Sequence, residues 1–144
     1  MPTTPKASAA MARQAWGRMF DYLMRTAPER SRALGRRGLT PNDARGLASL
    51  DRDRGRTMRS LAGEWECDAS NATWIVDRLE RFGFAERRTI ASDRRVKLVV
   101  LTVKGERVRA ELLDEFHTPP PGLLRLSPRD LAALARALEK LGGV

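Results

Sequence analysis

The spacing of apolar residues in the middle of the chain changes at Gly83, and this change restricts the possible folds severely. Before Gly83, apolar residues recur every three or four positions, which is typical of helices that bury one face. After it, the β-prone runs Phe84–Ile90 and Val96–Val103 flank the polar residues 91–95 and predict a β-hairpin with a basic tip. Two short helices followed directly by a hairpin predict a helix-turn-helix with a two-stranded β wing.

Both helices of this unit have recognisable start signals. Thr57 is expected to cap a helix over Met58–Trp65, and Asp68 is expected to cap a second helix from Ala69 to about Phe82. Gly83 ends the second helix. Its inner face is predicted to consist of Ala72, Ile75, Val76 and Leu79.

Amphipathic helices are predicted on both sides of the winged unit. The first covers residues 8–26 and should end before Pro28, because proline disfavours helical backbone in the residue that precedes it. A second helix begins after the cap residue Thr40 and runs to about Asp51. Beyond the hairpin, Thr102 should cap a helix that ends near Phe116.

The C-terminal part of the chain predicts one more helix after a proline-rich break at 119–122. This helix starts at Ser127 and carries a leucine stripe. The whole chain, 1–144, is therefore expected to be a single, mainly α domain with a winged helix-turn-helix core at 40–102. The apolar stripes of the flanking helices, 8–27 and 103–142, exceed what so small a core can cover and suggest a homodimer.

The charge of the chain points to a polyanionic partner. Lys and Arg number 27 against 18 Asp and Glu, a net charge of +9, and only four of the 27 cations are lysine. Arginine binds phosphates and guanine edges, but a GC-rich genome also raises arginine content, and composition alone leaves both explanations open. The excess is localised: 30–50 and 78–97 each carry a net +4, whereas 106–144 is neutral.

The second helix of the unit has the residues that a DNA-reading helix needs near its start. Ser70, Asn71 and Thr73 are short polar side chains, and asparagine can pair with adenine through two hydrogen bonds. Trp74 and Arg78 follow on the outward side. Ser, Asn and Thr at a helix start are equally compatible with capping on an ordinary solvated face. The basic hairpin tip favours DNA, since a helix and a wing together can grip two grooves.

Catalytic, metal and membrane functions find little support in the sequence. The single histidine, His117, has no nucleophile or glycine-rich phosphate loop near it, and with one cysteine, Cys67, the familiar zinc modules are excluded. We therefore expect no enzyme activity, no catalytic or metal-binding residue and no cofactor. The longest apolar run is too short to span a membrane, and an unpaired cysteine is typical of a reducing cytoplasm, so a cytoplasmic protein is expected.

Residues 61–105 resemble the DNA-binding core of the MarR (multiple antibiotic resistance regulator) family. The resemblance rests on Val76-Asp77-Arg78-Leu79-Glu80, Gly83-Phe84, the wing Ser92-Asp93-Arg94-Arg95, and Leu101-Thr102 before Gly105. It covers roughly 10–141, because the flanking helices also fall where the family has its dimerisation helices. It implies a bacterial, homodimeric transcription regulator, most often a repressor, that binds a pseudo-palindromic operator in double-stranded DNA. It also implies a small aromatic or phenolic effector.

The resemblance assigns roles to individual positions. It implies that Arg95 enters the minor groove, that Asp93 orients this arginine, and that Arg78 either contacts DNA or pairs with Asp93. Trp74 departs from the basic or polar residue usual in the family, so its indole either stacks on DNA, turns inward or covers the wing. The residues expected to contact DNA are Thr57, Arg59, Ser70, Asn71, Thr73, Trp74, Arg78, Arg87, Arg88, Arg94 and Arg95.

Two alternative functions compete with DNA reading. A winged helix can serve only for protein–protein contact, but such a module has no need of a basic wing tip at Ser92–Arg95. Redox sensing through Cys67 is the other alternative. This cysteine precedes the second helix of the unit, where a small buried hydrophobe is the simpler interpretation.

Overall fold

The computed structural model describes residues 6–142 and has the predicted mainly α winged helix-turn-helix architecture. In chain order its elements are α1 (Lys6–Gly35), α2 (Pro41–Ser49), α3 (Met58–Glu64), α4 (Ala69–Arg81), β1 (Ala85–Ile90), β2 (Asp93–Leu101), α5 (Val103–His117), α6 (Pro121–Leu124) and α7 (Pro128–Leu141). The outermost residues of the predicted domain, 1–5 and 143–144, lie outside this range. No helix within residues 6–142 is long and apolar enough to cross a membrane.

The prediction that the first helix ends before Pro28 is wrong. α1 continues through Pro28 to Gly35, and the extension buries Leu34 in the core. Proline removes one backbone donor from the helix, but side chains bond carbonyls in the turn before it. The Thr26 hydroxyl donates to the carbonyl four residues earlier at 3.0 Å, and the Arg30 guanidinium donates to a carbonyl of the same turn at 2.7 Å. The two side-chain bonds go to Tyr22 and Leu23 and not to the Met24 carbonyl, which loses its usual donor at Pro28, so the burial of Leu34 is what offsets the local cost of proline.

The start signals read from the sequence are confirmed. At each of the five predicted caps, the side-chain oxygen accepts a hydrogen bond from the backbone N–H three residues on, which satisfies an otherwise unpaired donor. These caps are Thr40, Thr57, Asp68, Thr102 and Ser127. The helix ends were less accurate: α2 stops at Ser49 rather than Asp51, and the proline-rich segment expected to be only a break contains α6.

The wing is a two-stranded antiparallel hairpin with a shorter turn than predicted. Ala85 pairs with Leu101, and the register continues to Ile90 opposite Asp93, so that only residues 91–92 form the turn. The register shifts after Thr89, which leaves residues 94–96 of β2 without partners on β1. The predicted polar loop at 91–95 is therefore mostly strand, and Arg94 and Arg95 lie on a bulge beside the tip.

The core joins the helix-turn-helix to the wing and α5. Leu47 of α2, Leu61 of α3, Leu79 of α4, Val99 of β2 and Leu112 of α5 are all buried there. The inner face predicted for α4 is confirmed, since Ala72, Ile75, Val76 and Leu79 are completely inaccessible. This packing fixes which face of α4 looks outward.

The helices outside the core leave large apolar side chains exposed. α7 has no buried residue among those described, and Leu131, Leu134 and Leu138 are 36–42% exposed. In α1, Trp16 and Phe20 are also exposed, with ring centroids 6.4 Å apart. A single copy of the chain thus leaves two helical apolar faces uncovered.

Candidate nucleic-acid interface

The N-terminal half of α4 presents the short polar side chains predicted from the sequence. Ser70, Asn71 and Thr73 are all exposed. The Asp68 carboxylate accepts hydrogen bonds from the Asn71 backbone N–H at 2.7 Å and from the Ser70 hydroxyl at 2.8 Å. These bonds, the backbone one first, hold the pKa of Asp68 below its usual value. Because the Ser70 proton is engaged by Asp68, its hydroxyl is oriented with its lone pairs toward other donors.

Arg78 does not pair with Asp93, and this part of the sequence interpretation is wrong. Its guanidinium binds the carboxylate of Asp43 on α2, with Nε to Oδ1 at 3.0 Å and Nη2 to Oδ2 at 2.8 Å, and also donates to the Gly38 carbonyl at 3.3 Å. Asp43 is completely buried. Arg78 therefore joins α4 to the start of α2 and not to the wing.

The buried carboxylate of Asp43 is ionised despite its surroundings. Burial alone would raise its pKa, but hydrogen bonds from Arg78 and from the backbone and hydroxyl of Thr40 outweigh burial, and the pKa lies below its usual value. The Thr40 N–H donates to Asp43 at 2.8 Å, and the Asp43 N–H donates to the Thr40 hydroxyl at 3.2 Å. This reciprocal capping box holds the carboxylate rigidly.

Trp74 is exposed and does not turn inward. Its side chain retains 46% of its accessible surface, and the Arg78 guanidinium lies over the indole, 5.1 Å from the ring centroid. The same guanidinium is 5.6 Å from the ring of Phe82, one turn further on. The indole is thus in cation–π contact with a group that is itself bound to Asp43.

The wing presents two exposed arginines, but Asp93 acts differently than expected. Its Oδ1 accepts a hydrogen bond from the Arg95 backbone N–H at 3.0 Å, so the carboxylate orders the main chain of the bulge and not the Arg95 guanidinium. Within residues 6–142, neither Arg94 nor Arg95 forms an ion pair. Both guanidinium groups are available at the surface.

The other predicted contact residues differ in how far their side chains are engaged. Arg87 on β1 binds Asp77 at 3.0 Å and also binds Glu80, so it connects the wing to α4. Arg88 pairs with Glu86 at 2.6 Å and stays exposed. On α3, Arg59 is exposed, whereas the Thr57 hydroxyl is occupied as the helix cap.

Asp43 and the pair Asp77 and Glu80 are the residues that sequence reasoning missed. In the sequence, Asp43 is only an acid in the first turn of the helix predicted after Thr40. Its position in Thr40-Pro-Asn-Asp was the available signal, because a capping box fixes the direction of the third residue's side chain. Asp77 and Glu80 are three positions apart on one helix, which indicates a shared partner.

The described residues offer no metal site, and neither Cys67 nor His117 belongs to a cluster of metal-ligating side chains. Among residues 6–142, no group of three or more His, Cys, Asp and Glu side chains could hold a metal ion. Cys67 is partly buried against the core. His117 is exposed in the last turn of α5, where a cation is favourable to the helix dipole.

Comparison with known proteins identifies a family model and individual regulators that this chain resembles. Residues 39–97 match the model of the MarR family. The HTH-type transcriptional regulator BilQ of Clostridium symbiosum is 33% identical over 89 residues, which cover 61% of this chain and 62% of BilQ. The chain thus matches about six tenths of the length of this curated relative.

Solved structures share the fold over nearly the whole chain. The YusO protein of Bacillus subtilis superposes with a TM-score of 0.75 at 24% identity, covering 94% of this chain and 97% of YusO. The MepR–DNA complex of S. aureus gives a TM-score of 0.63 at 20% identity, with 89% and 99% coverage. At these identities the similarity establishes the fold alone.

Proposed function

We propose that this chain, which belongs to the MarR family through its winged-helix core at residues 39–97, is a sequence-specific DNA-binding transcription regulator. We propose further that it acts in the bacterial cytoplasm as a repressor, without enzyme activity. BilQ, whose sequence it resembles, is a transcriptional regulator, and MepR, whose fold it shares, was crystallised on DNA.

One observation carries the proposal: a polar helix start is exposed on the same winged-helix unit as a basic wing tip that forms no ion pair with any residue of 6–142. Ser70, Asn71 and Thr73 can reach base edges in the major groove, while Arg94 and Arg95 can reach phosphates or the adjacent minor groove. Asp77 and Glu80 on the same helix are both bound by Arg87, which offsets one of their two negative charges.

The exposure and the ion pairs of each side chain distinguish residues proposed to contact DNA from residues proposed to position α4. Asn71, Thr73 and Arg95 are proposed to supply base and groove contacts, and the exposed cations Arg59, Arg88 and Arg94 are proposed to neutralise phosphates. Thr57 contributes mainly by capping α3, and the Ser70 hydroxyl keeps only its acceptor positions for DNA because its proton is donated to Asp68. Arg78 and Arg87 are proposed to position α4, since both bind carboxylates of another element and are only 22% and 23% exposed, whereas Arg88 remains 59% exposed beside its partner Glu86.

The DNA contacts are tested by selecting bound duplexes from a random pool and measuring affinity for the selected operator. Arg95→Ala should weaken operator binding without lowering thermal stability, because the side chain lies on an exposed bulge. Asn71→Ala should relax preference at one base pair by about 1–3 kcal/mol. Arg36→Ala, which removes an exposed arginine outside the winged core and the proposed dimer helices, is the matched control and should bind like wild type. Equal loss in Arg95→Ala and Arg36→Ala would contradict a specific wing contact.

We propose that the helices at 8–27 and 103–142 form a homodimer that holds two recognition helices about one DNA turn apart. The exposed leucines of α7 and the exposed aromatic pair of α1 support this, as does the neutral charge of 106–144. Dimer formation makes the second half-site contact effectively intramolecular, which can raise affinity ~10²–10⁴-fold. Sedimentation should show a dimer for the full chain, and removal of residues 127–144 should give monomer or aggregate with only non-specific DNA affinity. A monomer that binds one half-site tightly would contradict this proposal.

A small aromatic or phenolic effector is proposed to bind the apolar cavity between α2 and α5. The cavity has a volume of about 440 Å³, within the usual range for small-ligand sites. Leu47, Leu112 and Phe116 line it, and Arg109 is the charged residue at its wall. Phenol and benzoate should raise the melting temperature of wild type and not of Ala48→Trp, which fills the cavity from its exposed rim. No stabilisation of wild type would contradict the effector proposal alone.

A further inference from the structure

We infer that Trp74 reads a thymine methyl group in the major groove, and that Asp43 and Arg78 are positioning residues that hold its indole in place. The inference rests on the proposed DNA-binding function and adds one base contact to it. Its basis is a large, exposed apolar side chain among the polar residues of α4, with the Arg78 guanidinium lying over its ring.

Trp74 lies where a recognition helix faces the bases. It is the sixth residue of α4 and follows Thr73 on the outward face, whereas Ile75 and Val76 beside it are completely buried. The first turns of such a helix contact base edges. With nearly half of its surface exposed, the indole is the largest apolar group on this part of α4.

The indole is held by a chain of contacts that begins in the core. Asp43 is completely buried and fixed by Thr40, and it binds Arg78 through Nε and Nη2. The guanidinium cannot leave without abandoning a buried carboxylate, which is strongly unfavourable. Arg78 is four residues after Trp74, and long helical side chains point back toward the N-terminus, so its guanidinium covers the ring at 5.1 Å.

This arrangement gives the indole an orientation before DNA arrives. Ordering a side chain in the unbound protein lowers the entropy lost on binding. One ring face is occupied by the guanidinium of Arg78, and the surface that remains exposed is the part available to a ligand. A rigid apolar surface in the major groove complements the C5-methyl of thymine, the methyl group that distinguishes thymine from cytosine on that edge.

Thymine-to-deoxyuridine exchange tests the contact, because it removes only the methyl group. In the operator selected from a random pool, each thymine is replaced singly by deoxyuridine, and dissociation constants are measured by fluorescence anisotropy. At one thymine in each half-site, the exchange should weaken wild type roughly fourfold, the value for exposing one buried methyl-sized group. Trp74→Ala should bind the thymine and deoxyuridine duplexes equally.

Thr73→Ser is the matched control, since the methyl of Thr73 is the neighbouring candidate for the same contact. It should retain the fourfold discrimination. Loss of discrimination in Thr73→Ser, or its persistence in Trp74→Ala, would overturn the assignment to Trp74. Wild-type binding with no methyl-sensitive thymine would overturn this inference while leaving the proposed function intact. No duplex binding at low salt would overturn the proposed function itself.

The positioning role has its own readout. Asp43→Asn and Arg78→Lys should both lower the thymine-to-deoxyuridine discrimination toward one, while the salt dependence of binding stays that of wild type. Arg78→Lys keeps a cation for Asp43 but loses the planar group that covers the indole. Circular dichroism at the assay temperature identifies the folded variants. Fourfold discrimination retained in the folded Arg78→Lys variant would show that the guanidinium does not hold Trp74.

Discussion

Replacing Arg78 by methionine should destabilise the fold more than any change at an exposed arginine. The substitution keeps an aliphatic stem of similar shape but leaves the Asp43 carboxylate, which is completely buried, without its cation. Removing one partner of a buried ion pair typically costs roughly 3–5 kcal/mol. We expect the lower end, about 3 kcal/mol, because the N–H and hydroxyl of Thr40 still bond the carboxylate.

The loss should depend on pH in a defined direction. Burial raises the pKa of Asp43, but the bonds from Arg78 and Thr40 outweigh it, so the pKa lies below its usual value. A carboxyl group of this kind contributes stability above its unfolded pKa, and that stability is lost as pH falls through its folded pKa. Without Arg78, burial prevails and this contribution is reduced or reversed. The difference in unfolding free energy between wild type and Arg78→Met should thus be largest near neutral pH and should shrink below about pH 4.

Urea unfolding followed by far-UV circular dichroism, at one fixed protein concentration, measures both effects. Asp43→Asn should cost less than Arg78→Met, because the guanidinium left behind is partly exposed, with 22% of its side chain accessible, and can be solvated. Arg81→Met, an exposed arginine of the same helix, is the control and should change stability by no more than about 0.5 kcal/mol. An Arg78→Met loss below that of Asp43→Asn would refute the reasoning.

Three further substitutions probe the rest of the fold and the wing. Gly105→Ala places a Cβ 2.0 Å from the Phe84 carbonyl oxygen and should cost about 3 kcal/mol in urea unfolding; a stability equal to wild type would contradict this contact. Glu66→Gly should stabilise the protein by about 1 kcal/mol, since Glu66 has a φ of 51°, and a less stable variant would argue against strain there. Arg87→Leu should lower stability by about 1 kcal/mol and leave the salt dependence of DNA binding unchanged, because Arg87 pairs with Asp77 and Glu80 and not with a phosphate. A reduced salt slope, as expected for Arg94→Leu, would instead identify Arg87 as a phosphate contact.

The sequence predicted the helix starts and the wing because their causes are local. A cap residue such as Asp68 needs only the backbone N–H three residues on, and the spacing of Ile75 and Leu79 reflects one buried face. Gly83 follows α4 with a φ of 77°, a backbone conformation that favours glycine. This glycine marks the point where the spacing of apolar residues changes from that of a helix to that of a strand. These signals were sufficient to predict the winged helix-turn-helix.

The errors arose where distant parts of the chain meet. The continuation of α1 through Pro28 depends on the burial of Leu34 against the core. This burial cannot be predicted from the residues next to the proline. The partner of Arg78 is 35 residues away along the chain, and only the packing of α2 against α4 places Asp43 there. The role of Arg87 likewise depends on the wing folding back beside α4. The positions of the arginines in the sequence therefore predicted a basic surface. They could not distinguish the arginines proposed to contact DNA from the positioning residues Arg78 and Arg87.

The most direct test of the account is the salt dependence of affinity for the selected operator beside a scrambled duplex of equal length. If a dimer neutralises about 6–10 phosphates, affinity for both duplexes should fall by ~10³–10⁵ between about 50 and 200 mM salt. The operator should remain the tighter ligand throughout, because base contacts add to the phosphate contacts. A flat titration, or equal affinity for operator and scrambled duplex at every salt concentration, would contradict sequence-specific DNA binding by this winged helix.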